Sequence, residues 1–376
     1  MSLVQFHSQS ELQPAPCGEL AQPGEQARQA PARSKCVVRL YRTEDEPQVL
    51  DLLALCLPRW ARSPDRAAQS RATQWRWKHF DNPFGASHVL VAVSDEGTVV
   101  GAVALMPWRL RYRDQVLPCA RTVDMVTHPA YRGQGVASSF WPASRQHLVQ
   151  ANVALTFHTP NRRSILFARK GGRPVWTLQP RVNVLKPFRA LSRALRHRAG
   201  QARPAADPAA VFRTTPATVS ELLERRAAVA ELLVHDARQS DGQLRTDRSV
   251  EYLAWRYASN PALRYYAVCA ESQGRIDGVA IFRVDTWSGI SRVVLQDVLL
   301  RRCDHEVIAA LRRQLIAHVD PDLIHHYQSQ SRLLLGRPGL PATRFNFTVG
   351  VYQHEFDAVA TRPSNWDLTL GDLQEI

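Results

Sequence analysis

One stretch of the chain, "VTHPAYRGQGVASSFW" from Val126 to Trp141, combines residue types that could bind an anion. An apolar run leads into Arg132, Gly133, Gln134, Gly135, Val136 and Ala137, and a helical pattern follows to about Gln150. The first turn of a helix leaves N–H groups without intrahelical partners, and the aligned peptide dipoles make that end positive. Gly133, Gly135 and the small Ala137 remove the side chains that would keep a phosphate or pyrophosphate from those amides. A plain strand-to-helix turn also uses glycine, so the loop alone leaves both readings open.

Other candidates surround it. Asp124 is a lone carboxylate in the apolar strand "CARTVDMV". Burial there would raise its pKa and suit it to be a general base, while a structural role is the alternative. His128 precedes Pro129 at a strand end and His158 ends the strand "ANVALTFHT"; each reads as a base or as a hydrogen-bonding histidine. The cysteines Cys17, Cys36, Cys56, Cys119, Cys269 and Cys303 lie far apart, without a CxxC pair or a Cys/His cluster of metal-ligand spacing. No metal centre is expected.

The elements that must position these residues follow from periodicity. Residues 1–35, rich in Pro, Gln, Ala and Ser, read as a disordered tail. An alternating run from Val37 to Tyr41 predicts a strand, and Val49, Leu52, Leu53 and Cys56 mark a helix that Thr43 or Asp45 could cap. "HVLVAV" and "TVVGAVALMPWRLRY" flank an Asp- and Gly-containing turn and predict a hairpin. "RRSILFARKGG" reads as a short helix ended by Gly171 or Gly172. The order is strand, helix, three strands, helix, strand, helix, an α/β pattern in which a mixed, mostly antiparallel sheet carries helices on both faces.

The second half repeats the first. Trp77, Asn82 and Pro83 match Trp255, Asn260 and Pro261 at one common offset, and Gly101 matches Gly278, Asp124 matches Asp297, Ser164 matches Ser331 and Gly172 matches Gly339 at slightly smaller ones. After "LQDVLL" the second copy reads "RRCDHEVIAALRRQL", with no glycine pair before the helix. The expected division is a tail over 1–35, a first domain over 36–187, a basic linker over 188–210 and a degenerate second domain over 211–376. Recurrence of the tryptophans argues for packing.

Between Arg181 and Arg203 stand seven Lys or Arg and no acid. Phe188, Leu191 and Leu195 share one helical face, so 186–198 fits either a connector with a solvated face or a basic amphipathic helix lying on a membrane surface. The net charge of +14 admits nucleic acid, an anionic membrane or an anionic cofactor. Its dispersion along the chain argues against a specific nucleic-acid partner. Lacking a long apolar run and a secretory signal pattern, the chain is expected to be soluble and cytoplasmic.

A dinucleotide-binding loop belongs after the first strand of a βαβ unit, and a Walker loop needs Lys and Ser or Thr after its last glycine. Here the loop follows the fourth strand and ends in Val136 and Ala137, so both nucleotide readings fail. The residues instead resemble the GNAT superfamily of N-acetyltransferases, whose acyl-CoA loop reads Arg or Gln, x, x, Gly, x, Gly or Ala, matched by Arg132, Gly135 and Ala137. "PNRRSILFARKGG" looks like the family's segment of strand end, Asn, helix and closing Gly. The resemblance covers about Val37 to Lys186, with a degenerate echo from Val211 onward.

This resemblance implies two tandem GNAT-like domains and acetyl-CoA or another acyl-CoA as co-substrate, held between the fourth and fifth strands. Backbone near Met125 and Val126 would hold the pantetheine arm, amides of Gly133 through Ala137 the pyrophosphate, and Asn161 and Ser164 would lie near the leaving sulfur. An amine on a small-molecule, sugar or amino-acid acceptor would attack directly. The family often places a Tyr after the Asn to protonate the thiolate. Phe167 and Ala168 stand there instead, leaving water, Ser164, His158 or no acid at all. The expected function is an acyl-CoA-dependent N-acyltransferase with Asp124 and Ser164 as catalytic candidates. The alternatives are a non-catalytic CoA-binding module and a membrane- or nucleic-acid-associated adaptor.

Overall fold

The computed structural model describes residues 36–57, 67–161, 164–166, 173–200, 211–239, 242–327 and 339–373. The tail at 1–35, Phe167, Ala168, Gly171, Gly172 and Ser331 lie outside the described residues. The first half contains β1 (Cys36–Leu40), α1 (Glu46–Cys56), α2 (Ala67–His79), β2 (His88–Ser94), β3 (Val99–Tyr112), β4 (Gln115–Thr127), α3 (Val136–Gln150), β5 (Leu155–His158), β6 (Val175–Leu178) and β7 (Arg181–Val184). α4 (Pro187–Arg198) leads into β8 (Ala217–Thr218), α5 (Val219–Glu224), α6 (Arg226–Arg238), β9 (Arg245–Thr246) and α7 (Val250–Leu253), which runs on into a π turn over Ala254–Ala258. Then come β10 (Tyr266–Ser272), β11 (Arg275–Trp287), β12 (Ile290–Leu300), α8 (His305–His318), β13 (Leu323–His326), β14 (Leu340–Pro341) and β15 (Phe345–Val351).

The α/β class with two mostly antiparallel sheets is as the sequence predicts. One sheet runs β1-β2-β3-β4-β5-β15-β6, with β9 added to β3, and the other runs β14-β7-β13-β12-β11-β10-β8. In the first, Val49, Leu52 and Leu53 of α1 and Trp75 of α2 pack on one face, and Val136 and Phe140 of α3 pack on the other. Gly101 makes the second contact close. A Cβ there would stand 2.9 Å from Val136 Cγ1, and one on Gly278 would stand 2.8 Å from Val307 of α8. The paired glycines of the repeat thus mark where each half seats its helix on its sheet.

Two features lie beyond the sequence reading. α2 occupies a stretch to which periodicity assigns no element; despite its Arg, Gln and Lys content, Trp75, Trp77, Lys78 and His79 are all buried, Trp75 against α1 and Trp77 in the core shared with the second half. The halves also exchange their last strands. β7 of the first half pairs with β13 and β14, and β15 of the second half pairs with β5 and β6. The stretch 188–210, expected as a linker, begins with α4, whose Ala190 is buried with Ile290 and Leu323 of the second sheet.

The recurrent tryptophans form the centre of the contact between halves. The Trp77 and Trp255 rings stack with centroids 5.4 Å apart. Trp77 Nε1 donates to Trp255 O at 2.9 Å, and Trp255 Nε1 donates to Trp77 O at 2.8 Å. Both indoles are buried, so each N–H needs an internal acceptor, and the pseudo-twofold supplies both at once. Trp77→Ala and Trp255→Ala are each expected to cost about 3–5 kcal/mol. The double variant should cost about 1 kcal/mol or more less than the two singles together, because they share contacts. Denaturant unfolding of the four proteins in the cycle measures this, and strict additivity would contradict the reciprocal pair.

Candidate acyl-CoA site

β4 and β5 are parallel, but they pair only through Cys119–Leu155 and Ala120–Thr156. β4 continues to Thr127 and β5 to His158 without a ladder between them, so the strands part at Arg121 and Phe157. A bulge widens the change of direction. The β3–β4 register shifts between Ala102 and Ala104, which leaves an extra residue on β4 around Asp124 and Met125. Asp124 sits at φ 50°, a conformation uncommon for a residue with a Cβ. Met125 turns toward Val136 and Phe140, and Val126 toward the α1 face.

Directly after this strand lies the glycine loop. Gly133 and Gly135 have φ of 81° and 91°, and added Cβ atoms would meet nothing within 4 Å, so the space beside them is open. Gly135 is the N-cap of α3 and brings no side chain to it, and the first turn holds no acid. Ser138 N and Ser139 N donate to Gly135 O. Among the described residues the amides of Val136 and Ala137 have no intrachain acceptor, as helix starts require. Gln134 Nε2 donates to Ala130 O at 2.9 Å, and Arg132 Nε donates to Thr127 O at 3.3 Å, so both side chains fold back on the loop that carries them. His128 does the same, accepting from Ala130 N through Nδ1.

The second half inverts this electrostatic arrangement. At the start of α8 the N-cap is Asp304, whose carboxylate accepts from Glu306 N at 2.8 Å, and Glu306 adds a second acid to the first turn. A helix end already neutralised by carboxylates repels a phosphate that the end of α3 would attract.

Asp124 is held differently from a free base. Its side chain is buried, Lys78 Nζ donates to Oδ2 at 2.5 Å, and His79 Nε2 lies 3.1 Å from the same oxygen. His79 Nδ1 in turn meets Ser87 Oγ at 3.0 Å. The second half repeats the pattern. Asp297 Oδ2 accepts from Tyr257, the counterpart of His79, and its Oδ1 accepts from Arg248 at 2.7 Å and from Thr369 at 2.7 Å. A buried carboxylate tied to the segment after the repeated tryptophan therefore occurs with and without the glycine loop.

Asn161 and Ser164 come together at the end of β5. Asn161 Oδ1 accepts from Ser164 N at 2.9 Å and from Ser164 Oγ at 3.1 Å. His158 lies deeper, with Nδ1 buried and unpartnered among the described residues. Burial, aided by Arg173 and Arg121, pushes its pKa down to about 3. Sequence reasoning passes over Arg121, at the apex of the opening. Its guanidinium is buried over Trp108 and Phe157, 5.0 and 5.4 Å from the ring centroids, with Nε and Nη1 unpartnered among the described residues. Burial lowers its pKa to about 10, so it stays charged at neutral pH. A cation within an apolar strand is the signal that could have found it, and the acid three residues on draws the eye first. The C-terminal segment closes the far side, where Thr159 Oγ1 donates to Leu373 O at 3.4 Å.

The sequence profile of the Acetyltransferase (GNAT) domain matches residues 37–172. No curated protein matches the sequence. Among solved structures, a conserved protein of unknown function from Enterococcus faecalis V583 is similar over 85% of this chain and 73% of its own, at 13% identity and a TM-score of 0.57. A GCN5-related N-acetyltransferase from Anabaena variabilis covers 84% and 73% at 14% identity and a TM-score of 0.53. Saccharomyces cerevisiae N-myristoyltransferase with bound myristoyl-CoA covers 95% and 94% at 13% identity and a TM-score of 0.51. Residues 37–172 thus match the GNAT domain, and the chain as a whole has a tandem GNAT-like fold. The family supports acyl transfer from an acyl-CoA as the general chemistry.

The buried histidines set a pH dependence. His158 and His325 are pushed down to about 3 and His326 to about 4, in each case mainly by desolvation, from the ordinary 6.5. Unfolded, these rings take up protons near pH 6.5 that the folded state refuses. Stability should therefore fall as pH drops from about 6.5 toward 4, by up to about 1.4 kcal/mol per pH unit for each ring. Denaturant titrations at several pH values in that window check the slope, and a flat profile would contradict it.

Proposed function

We propose that this protein transfers an acyl group from acyl-CoA to an amine, and that only the first half holds the donor. The carrying observation is the contrast at the two matched helix starts: bare Gly135 with open space before α3, and Asp304 with Glu306 before α8. In this reading the amides of Gly133 through Ala137 hold the pyrophosphate, and the parted backbone at Met125 and Val126 holds the pantetheine arm. The same backbone groups polarise the thioester carbonyl.

The amine nitrogen attacks the carbonyl carbon, the C–S bond breaks, the thiolate gains a proton and the amine loses one. Ser164, with its hydroxyl on Asn161, is the group of this chain best placed to supply the thiolate proton. His158 is neutral at pH 7, so it offers that step an imidazole and not an imidazolium. Arg121 places a fixed positive potential at the apex, of the sign that stabilises a developing oxyanion or thiolate. Asp124 is read as a positioning residue. Its ion pair with Lys78 anchors the bulge, and a carboxylate so neutralised is a weak proton acceptor. Acetyl and longer acyl groups, and metabolite, sugar or amino-acid amines, all fit this chemistry.

Thiol release from acetyl-CoA and longer acyl-CoAs over a panel of amines tests the reading. Turnover is expected with at least one pair. Gly135→Glu, which puts a carboxylate at the anion site and an L side chain at φ 91°, should lower kcat/KM about 100-fold or more. CoA binding without thiol release from any pair would instead support a non-catalytic binding module.

A further inference from the structure

α4 is amphipathic with its faces reversed relative to a solvated connector. Arg189, Ala190, Arg193 and Ala194 fall on one side of a 3.6-residue helix, and that side meets the protein. Arg189 Nη1 donates to Asp320 Oδ2 at 2.5 Å, and its Nε pairs with Asp322. Arg193 Nη1 donates to Asp322 Oδ2 at 2.6 Å and to Ser291 Oγ at 3.0 Å. Ala190 and Ala194 pack with Ile290, Leu323 and Trp287. These contacts turn the apolar side outward, leaving Phe188 87%, Leu191 60% and Leu195 56% exposed. Arg196 and Arg198, both exposed, flank that ridge on its two sides, and no acid occurs from Arg181 to Arg198.

A single exposed leucine needs no explanation, but an ordered ridge of three large apolar side chains does. Four ion pairs to Asp320 and Asp322, from Lys186, Arg189 and Arg193, hold the helix in the orientation that exposes it. Val182, Trp287 and Leu323, on which the inner side of α4 packs, also line a cavity of about 60 Å³ in the same sheet. Apolar residues at the centre, arginines at the flanks and a chain of net charge +14 complement a surface that is apolar within and anionic at its boundary.

We propose that α4 seats this protein on an anionic phospholipid surface, with Phe188, Leu191 and Leu195 entering the acyl region and Arg196 and Arg198 meeting the headgroups. The contact is peripheral; among the described residues no helix is long and apolar enough to cross a membrane. This inference stands apart from the acyl-transfer reading, since α4 packs on the second sheet and the glycine loop belongs to the first.

Sedimentation of the full chain with vesicles of phosphatidylcholine alone, or mixed with phosphatidylglycerol, tests it. Binding is expected to the mixed vesicles and to weaken with salt. The triple variant Phe188→Ser, Leu191→Ser, Leu195→Ser should lower partitioning about tenfold or more. Arg196→Gln with Arg198→Gln should lower it about tenfold and flatten the salt dependence. Val234→Ser, at an exposed apolar site on α6, should change nothing. Every replaced side chain is exposed, and an unchanged unfolding midpoint confirms that each variant folds. Absence of binding to the mixed vesicles would overturn the proposal, as would equal binding by the triple variant. Self-association of the parent chain that the triple variant abolishes would also overturn it, since a second copy would then cover the ridge.

Discussion

β5 forms one wall of the candidate site, and its hydrogen bonds come mostly from the other half of the chain. It pairs with β4 at only two positions, but along its whole length with β15, from Leu155–Val351 to His158–Thr348. The parting of β4 and β5 is tolerated because β15 satisfies the far edge of β5, which would otherwise be a four-residue strand holding few ladder bonds. The exchange is reciprocal, with β7 filling the same place between β13 and β14. The Trp77–Trp255 pair fixes the two halves in register at their centre. A second half without an anion loop therefore still has a structural role, because it supplies the strand on which the opening of the first half depends.

Against this shared scaffold, the two halves differ in electrostatics at the matched helix starts. Both place a glycine beneath the incoming helix, at Gly101 and Gly278, and both bury an aspartate, Asp124 or Asp297, on the strand before it. Only α3 begins with bare backbone, and α8 begins with two acids. The helix dipole is the same in both, so the cap decides whether that end is available to an anion. Asp124 reads differently in this light. The buried aspartate is common to both halves, and the bonds of Asp124 to Lys78 and His79 tie α2 to the bulged strand.

The features legible in the sequence are those with a short-range signal. The glycine loop, the β2–β3 hairpin, α1 and α3 each carry their own periodicity or turn chemistry, and the repeat of Trp, Asn-Pro and Gly shows the tandem order. α2 escapes because its last turns are buried on more than one side, through Trp75, Trp77, Lys78 and His79, and no apolar period marks that. The strand exchange is illegible because β7 and β15 carry the same alternation whichever sheet they join. Arg121 escapes because a cation in a strand reads as exposed until its neighbours Trp108 and Phe157 are known. The segment 188–210 is ambiguous for a related reason: helical periodicity finds an apolar face but does not say which way it points.

Donor binding confined to one half makes stoichiometry the most direct test. Calorimetric titration of CoA into the intact chain is predicted to saturate at one CoA per chain, with binding lost in Gly135→Glu and retained when Asp304 and Glu306 are replaced. Two sites per chain, or one site indifferent to Gly135→Glu, would contradict the account.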